Sequence, residues 1–321
     1  ITQADARQVF VSGGRAFIRN YASDARQYDL LWFDLAAPDR PTFLGSRPLN
    51  ADGGFDAAGD LLFFASESGI QVANAQDPAQ EVSRVGAAKE VHWLETAVHD
   101  NLLYLLYFAQ GFHFTIYDLA DPANPQVVPQ SLPVSIDFIG ETAVTNNAIA
   151  LTSTFGDFGY CSTTITILDI TQIEDPQQTA EFNPQNCLND LVGSGDFLYL
   201  VGRSGLQIYS TSDPVDPQLV GSYTNPSGFH TVHDFLPGQP ISYILTSEGR
   251  GSVITSVDLT QGNATPLSQT EPLPGNELLQ LFTIDQTLIA PVWNQGLRTF
   301  AINSSGQLQQ LYAPDENDTG L

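Results

Sequence analysis

Apolar residues in this chain come in short runs separated by turn-forming clusters. Asn101-Leu-Leu-Tyr-Leu-Leu-Tyr107 is a continuous run, whereas Thr163-Thr-Ile-Thr-Ile-Leu168 alternates. Runs of this length, rich in β-branched and aromatic side chains, predict β-strands buried on one or both faces. No stretch carries a convincing amphipathic helical spacing. The chain therefore reads as all-β.

The runs repeat. A tight turn precedes a Phe-Leu-Tyr-Leu-type strand at Gly13, Gly59, Asp100, Asn146, Gly195, Gln239 and Asp285, in steps of 46, 41, 46, 49, 44 and 46 residues. The residues left at the two ends make one further step, so seven units use the chain without remainder. Four short strands per unit at this period predict a seven-bladed β-propeller of four-stranded antiparallel blades. The blades fall at about 7–47, 51–88, 92–131, 135–183, 187–224, 229–270 and 277–313, as one domain, with 314–321 as a polar tail. Blades one and seven each look complete in their own sequence, so the expected closure is by packing rather than by an exchanged strand.

A second landmark follows the third strand of most units. It reads Asp34-Leu-Ala-Ala-Pro38, Asn74-Ala-Gln-Asp-Pro78, Asp118-Leu-Ala-Asp-Pro122, Asp169 through Asp175-Pro176, and Ser210-Thr-Ser-Asp-Pro214. Proline fixes φ and lacks a donor, so Asp-Pro ends a strand and sets a turn. Units six and seven (Asp258 and Asn303) keep the turn without the proline.

The segment Gly205-Leu-Gln-Ile-Tyr-Ser-Thr-Ser-Asp-Pro-Val-Asp-Pro-Gln-Leu-Val-Gly221 resembles the LVIVD repeat of exported bacterial and archaeal β-propellers. Phe114-Thr-Ile-Tyr-Asp-Leu-Ala-Asp-Pro-Ala-Asn-Pro125 is a second good copy, and the last two units match weakly. The resemblance implies a propeller on an exported or surface protein and carries no general activity. Trp-Asp dipeptides, kelch-like Gly-Gly pairs at a fixed step and the sialidase box are absent from the sequence.

Charge narrows the partners. A net charge of −25, with one lysine (Lys89) against ten arginines, disfavours nucleic acid or an anionic membrane surface. No run is apolar and long enough to span a bilayer as a helix. The sequence begins Ile1-Thr-Gln-Ala-Asp and contains no methionine, which reads as a mature fragment after removal of a signal peptide; a trimmed chain would look the same. Cys161 falls in the loop between the second and third strands of blade four, and Cys187 just before blade five. Propeller topology puts both on one face, so a disulfide is expected, consistent with an oxidising compartment. A metal-binding or redox thiol pair lacks a Cys-x-x-Cys spacing.

Five residues before each anchor stand Gln8, Gly54, Glu95, Glu141, Asp190, Asp234 and Gln280. These positions open the first strand of each blade, at the mouth of the central channel. Glu95, Glu141, Asp190 and Asp234 are thus metal candidates, and convergent carboxylates suit Ca²⁺ or another hard cation. The competing reading is structural: an Asp at a strand start accepts backbone N–H bonds from the next blade, and the resembled repeat itself tends to carry Asp there.

Ligand-binding candidates are the aromatic and imidazole groups expected in the loops of that same top face: Tyr21, Tyr28, Trp93, Phe158, Tyr160, His230 and Trp293. Rings beside carboxylates make a platform for sugars, peptides or cations, though such rings also pack between blades. His230 and His233, three apart on an expected strand, point to opposite faces and make a poor metal pair. No nucleophile elbow or phosphate loop is present, so no catalytic residue is assigned. The expectation is a non-catalytic recognition module binding a glycan, peptide or protein at the cell surface. The alternatives are a metal-dependent, lactonase-like hydrolase or lyase built on the carboxylates, and a structural subunit of a surface assembly.

Overall fold

A computed structural model describes residues 5–22, 27–37, 40–49, 55–58, 60–66, 69–85, 93–99, 101–108, 112–129, 141–155, 162–173, 175–184, 188–202, 205–224, 232–237, 241–248, 251–259, 265–274, 281–284, 286–292 and 296–312. The chain is a seven-bladed β-propeller of antiparallel four-stranded blades, and the described residues contain no helix. Each blade is built from consecutive strands. Blade six adds a two-residue strand, Leu273–Pro274, beside its third strand.

Blades two to five, within residues 54–224, form one compact unit; blades one, six and seven form another. In the first of these, period-2 geometry explains the continuous apolar runs. The second strand of blade three, Leu102–Phe108, sends Leu103, Leu105 and Tyr107 into a core with Phe63 and Val72 of blade two. Its alternate residues Tyr104 and Leu106 enter a core with Ile149 and Leu168 of blade four. A strand sandwiched between two blades buries both faces, so both parities of its sequence must be apolar. Ile165, Ile167, Leu198 and Leu200 continue the pattern between blades four and five.

In the other unit, Ala16, Ile18, Leu31 and Phe33 of blade one pack with Ile289 of blade seven. The first and fourth strands of each of these two sheets come from one end of the chain, Asp5–Ser12 with Thr42–Pro48 and Phe282–Ile284 with Leu308–Tyr312. No strand is exchanged between the two blades among the described residues.

The anchor turns are where the backbone needs a left-handed residue: φ is 56° at Gly13, 58° at Gly195 and 61° at Asn101. The landmark residues end the third strands as Asx turns. Oδ1 of Asp34, Asn74, Asp118, Asp169 and Asn303 each accepts the N–H two residues on, at 2.7–3.0 Å. Asp121 and Asp213 repeat the bond across the following proline. The proline carbonyls then latch blades together: Ser83 Oγ donates to Pro122 O at 2.9 Å, and Thr179 Oγ1 to Pro214 O at 2.7 Å. Blade two departs from the expected turn. There Asp77 pairs with Asn74, so Asp77-Pro78 opens the fourth strand, with Pro78 buried.

Candidate functional site

The first strands of the blades carry the acidic positions. In three blades the position five before the anchor sits directly after a β-bulge: Gln8 opposite Arg19, Asp190 opposite Val201, and Asp234 opposite Leu245. Glu95 lies opposite Leu106 in an unbroken ladder. A bulge re-aims the residue beside it, so this position is shaped by the backbone as well as by sequence. Glu95, Asp234, Trp93 and Tyr21 are placed here by backbone register alone. Phe158, Tyr160, Cys161, Cys187, His230 and Trp293 lie outside the described residues, as do Gly54 and Gln280.

Two of the candidate acids have described side chains, and a third acid joins them. Glu141 precedes the first strand of blade four (Thr142–Val144). Its N–H donates to Thr152 Oγ1 at 2.6 Å, and its carbonyl accepts the Thr152 N–H at 2.9 Å. Asp190, in Leu188–Ser194 of blade five, accepts the Leu191 N–H at 2.8 Å. Asp56, in Phe55–Ala58 of blade two, is only 8% exposed. Its Oδ1 accepts the Ala57 N–H at 2.8 Å, and its Oδ2 accepts both the Thr96 N–H and, at 2.8 Å, the Thr96 hydroxyl.

Burial dominates the electrostatics. Loss of water raises Asp56 to about 7, against the opposing pull of its three donors. Glu141 is also raised to about 7, first by burial and then by the negative charges of Asp190 and Asp56. Two carboxyls of one unit thus titrate near neutrality. Asp56 was not among the sequence candidates because the five-before-anchor rule selects Gly54. The available signal was its setting: Asp56 is the lone acid in the short apolar strand Phe55–Ala58.

A cleft of about 360 Å³ runs beside the first strands of blades four and five, lined by residues 142–146 and 191–195. Glu141 and Asp190 immediately precede these two segments. The strands approach so closely that a Cβ on Gly193 would lie 2.0 Å from the Val144 carbonyl oxygen. At the far end Asn146 Nδ2 donates to Asp196 Oδ1 at 2.9 Å, tying the two anchor turns together. Among the described residues no three His, Cys, Asp or Glu side chains converge closely enough to hold a metal ion. Of the aromatic candidates, Tyr28 is half-buried and carries the Arg19 guanidinium 4.2 Å above its ring.

No protein-family model matches the sequence, and no curated protein matches it. Solved structures do match. Hsv2 of Kluyveromyces lactis aligns over 96% of this chain and 98% of its own, with a TM-score of 0.62 and 11% identity. The Cps50 (Swd1) propeller of Myceliophteria thermophila aligns over 94% and 100%, with a TM-score of 0.61 and 12% identity. A Bacteroides fragilis protein described as a candidate 6-phosphogluconolactonase aligns over 92% and 93%, at 0.56 and 11%. The likeness is one of fold.

Proposed function

We propose that this chain is an exported recognition propeller of the LVIVD-repeat type, which binds a protein, peptide or glycan at the cell surface without catalysis. The observation that carries this reading is how the acids are used. Asp56 spends both oxygens on Thr96 and Ala57, and Asp190 bonds Leu191, so these carboxyls serve the fold. Recognition then falls to the hairpins joining second and third strands, where Tyr21 and Tyr28, expected in a loop, instead pair across the strand ends, and whose loops vary freely on a rigid core. Binding to arrays of glycans and peptides tests this. Tyr21→Ala, Phe158→Ala and Tyr160→Ala abolish the signal with the thermal midpoint kept. Unchanged binding in all three variants overturns the assignment of that face.

A second reading has its own support. Glu141, held near neutrality beside Asp190, has the protonation behaviour of a general acid or base. On this reading the chain is a lactonase-like hydrolase or lyase, the activity class given to one of the structural neighbours. Hydrolysis of sugar lactones that falls at least 100-fold in Glu141→Gln would place it ahead of the recognition reading.

A further inference from the structure

Asp56 occupies an environment that pulls in two directions. The residue is 8% exposed, in a strand whose Phe55 stacks on Phe64 with ring centroids 5.3 Å apart. Yet each carboxyl oxygen receives a backbone donor that cannot turn away, Ala57 N–H on Oδ1 and Thr96 N–H on Oδ2. The third donor, the Thr96 hydroxyl, can rotate. A carboxylate has lone pairs for all three. A neutral carboxyl converts one oxygen to a hydroxyl, a poor acceptor whose own proton needs a partner. Wherever that proton sits, Ala57 or Thr96 gives up its amide bond.

The elements around Asp56 supply mostly negative charge. Glu141 on blade four senses Asp56 and Asp190 directly. The second strand of blade two, Leu61–Ser66, carries no titratable group, and the first strand of blade three carries Glu95 and His99 either side of Thr96, placed by register alone. We propose that the Asp56–Thr96 contact is a proton-operated clasp between blades two and three, fully bonded when Asp56 is ionised and released at one backbone amide when it takes up a proton. The transition falls in the neutral range because burial raises the carboxyl to about 7. Global stability moves the opposite way, since the folded state holds this proton more tightly than the unfolded chain does. A local opening that accompanies rising stability is not incipient acid unfolding. The clasp belongs to the fold and does not depend on which functional reading holds.

NMR of the isotope-labelled full chain between pH 5 and 9 tests it. The Asp56 carboxyl carbon is expected to titrate near 7, with the Thr96 or Ala57 amide proton shifting at the same midpoint. Exchange of that amide, corrected for its intrinsic pH dependence, is expected to rise on the acid side. Thr96→Val keeps the N–H and removes the hydroxyl, so the midpoint moves upward. Asp56→Asn abolishes the amide transition, whereas Glu141→Gln, a control for the neighbouring titration, retains it. An Asp56 midpoint near 4, or amides that stay flat through neutrality, overturns the clasp. Should Asp56→Asn fail to fold, the Thr96→Val shift decides alone.

Discussion

A single buried carboxyl can set the pH dependence of a whole domain, and Asp56 is placed to do so. Its folded value of about 7 stands above the ordinary 3.8, so the native state binds one more proton than the unfolded chain between those limits. Stability from this group is therefore full below about pH 4, falls as pH rises, and is lost above about 7. At about 1.4 kcal/mol per pKa unit, the swing is on the order of 4 kcal/mol. Asp56→Asn removes the buried charge and keeps the shape. It is expected to be more stable than the parent by about 2 kcal/mol at pH 8, after an unmade amide bond of about 1–3 kcal/mol is set against the relieved charge. At pH 5 the two should agree within about 1 kcal/mol. Urea unfolding at both pH values checks this, and equal differences at the two would contradict it. Glu141 offers a second test at the same scale. Because the Asp190 charge helps raise it, Asp190→Asn is expected to lower the Glu141 midpoint, read from its side-chain carboxyl carbon.

At the scale of the strand, the sequence is most legible where burial is symmetrical. Leu103 to Tyr107 read as a strand because both parities are apolar, and the structure puts a blade against each face. Leu105 is fully buried, whereas Leu219 on a fourth strand is 55% exposed. Leu105→Ala is expected to cost about 2–5 kcal/mol, and Leu219→Ala less than about 0.5 kcal/mol, in the same urea assay. The anchor turns and Asx landmarks were equally legible, since Gly, Asn and Asp at fixed offsets report backbone geometry directly. Asp77-Pro78 misled because its spacing from Asn74 matches that of Asp121 from Asp118; what blade two lacks is the second proline of Pro125 and Pro217, and its fourth strand starts at Asp77 itself. Asp56 was missed for a related reason. The repeat defines equivalent positions, but the acid of blade two that meets blade three stands three residues before its anchor, not five, on a first strand that pairs without a bulge. Which side chain crosses a blade interface depends on that register, and no local motif encodes it.

Over the whole molecule, two expectations from the sequence join residues of different blades. If Cys161 and Cys187 are joined, they close a loop that links blade four to blade five, and alkylation of the unfolded, unreduced chain adds no mass. Reduction first should expose both thiols and lower stability by about 3 kcal/mol; alkylation without reductant would argue against an oxidising destination. The cation question also belongs to this scale, because a net charge of −25 attracts any divalent ion without needing a site. General attraction and a built site differ in selectivity. Mg²⁺ demands a tighter octahedral shell and sheds water reluctantly, whereas Ca²⁺ accepts irregular carboxylate sets. Titrating chelator-treated protein with each ion therefore tells the two cases apart. If Glu95, Glu141, Asp190 and Asp234 cooperate on Ca²⁺, that ion alone raises stability by about 2.7 kcal/mol at 100 times its Kd. Glu141→Gln and Asp190→Asn then each remove the gain. Asp190 and Asp56 are already bonded to Leu191, Ala57 and Thr96, which leads instead to the expectation of equal, small responses to both ions. That outcome fits a fold in which one buried carboxyl, Asp56, fastens two blades together and binding is left to the loops.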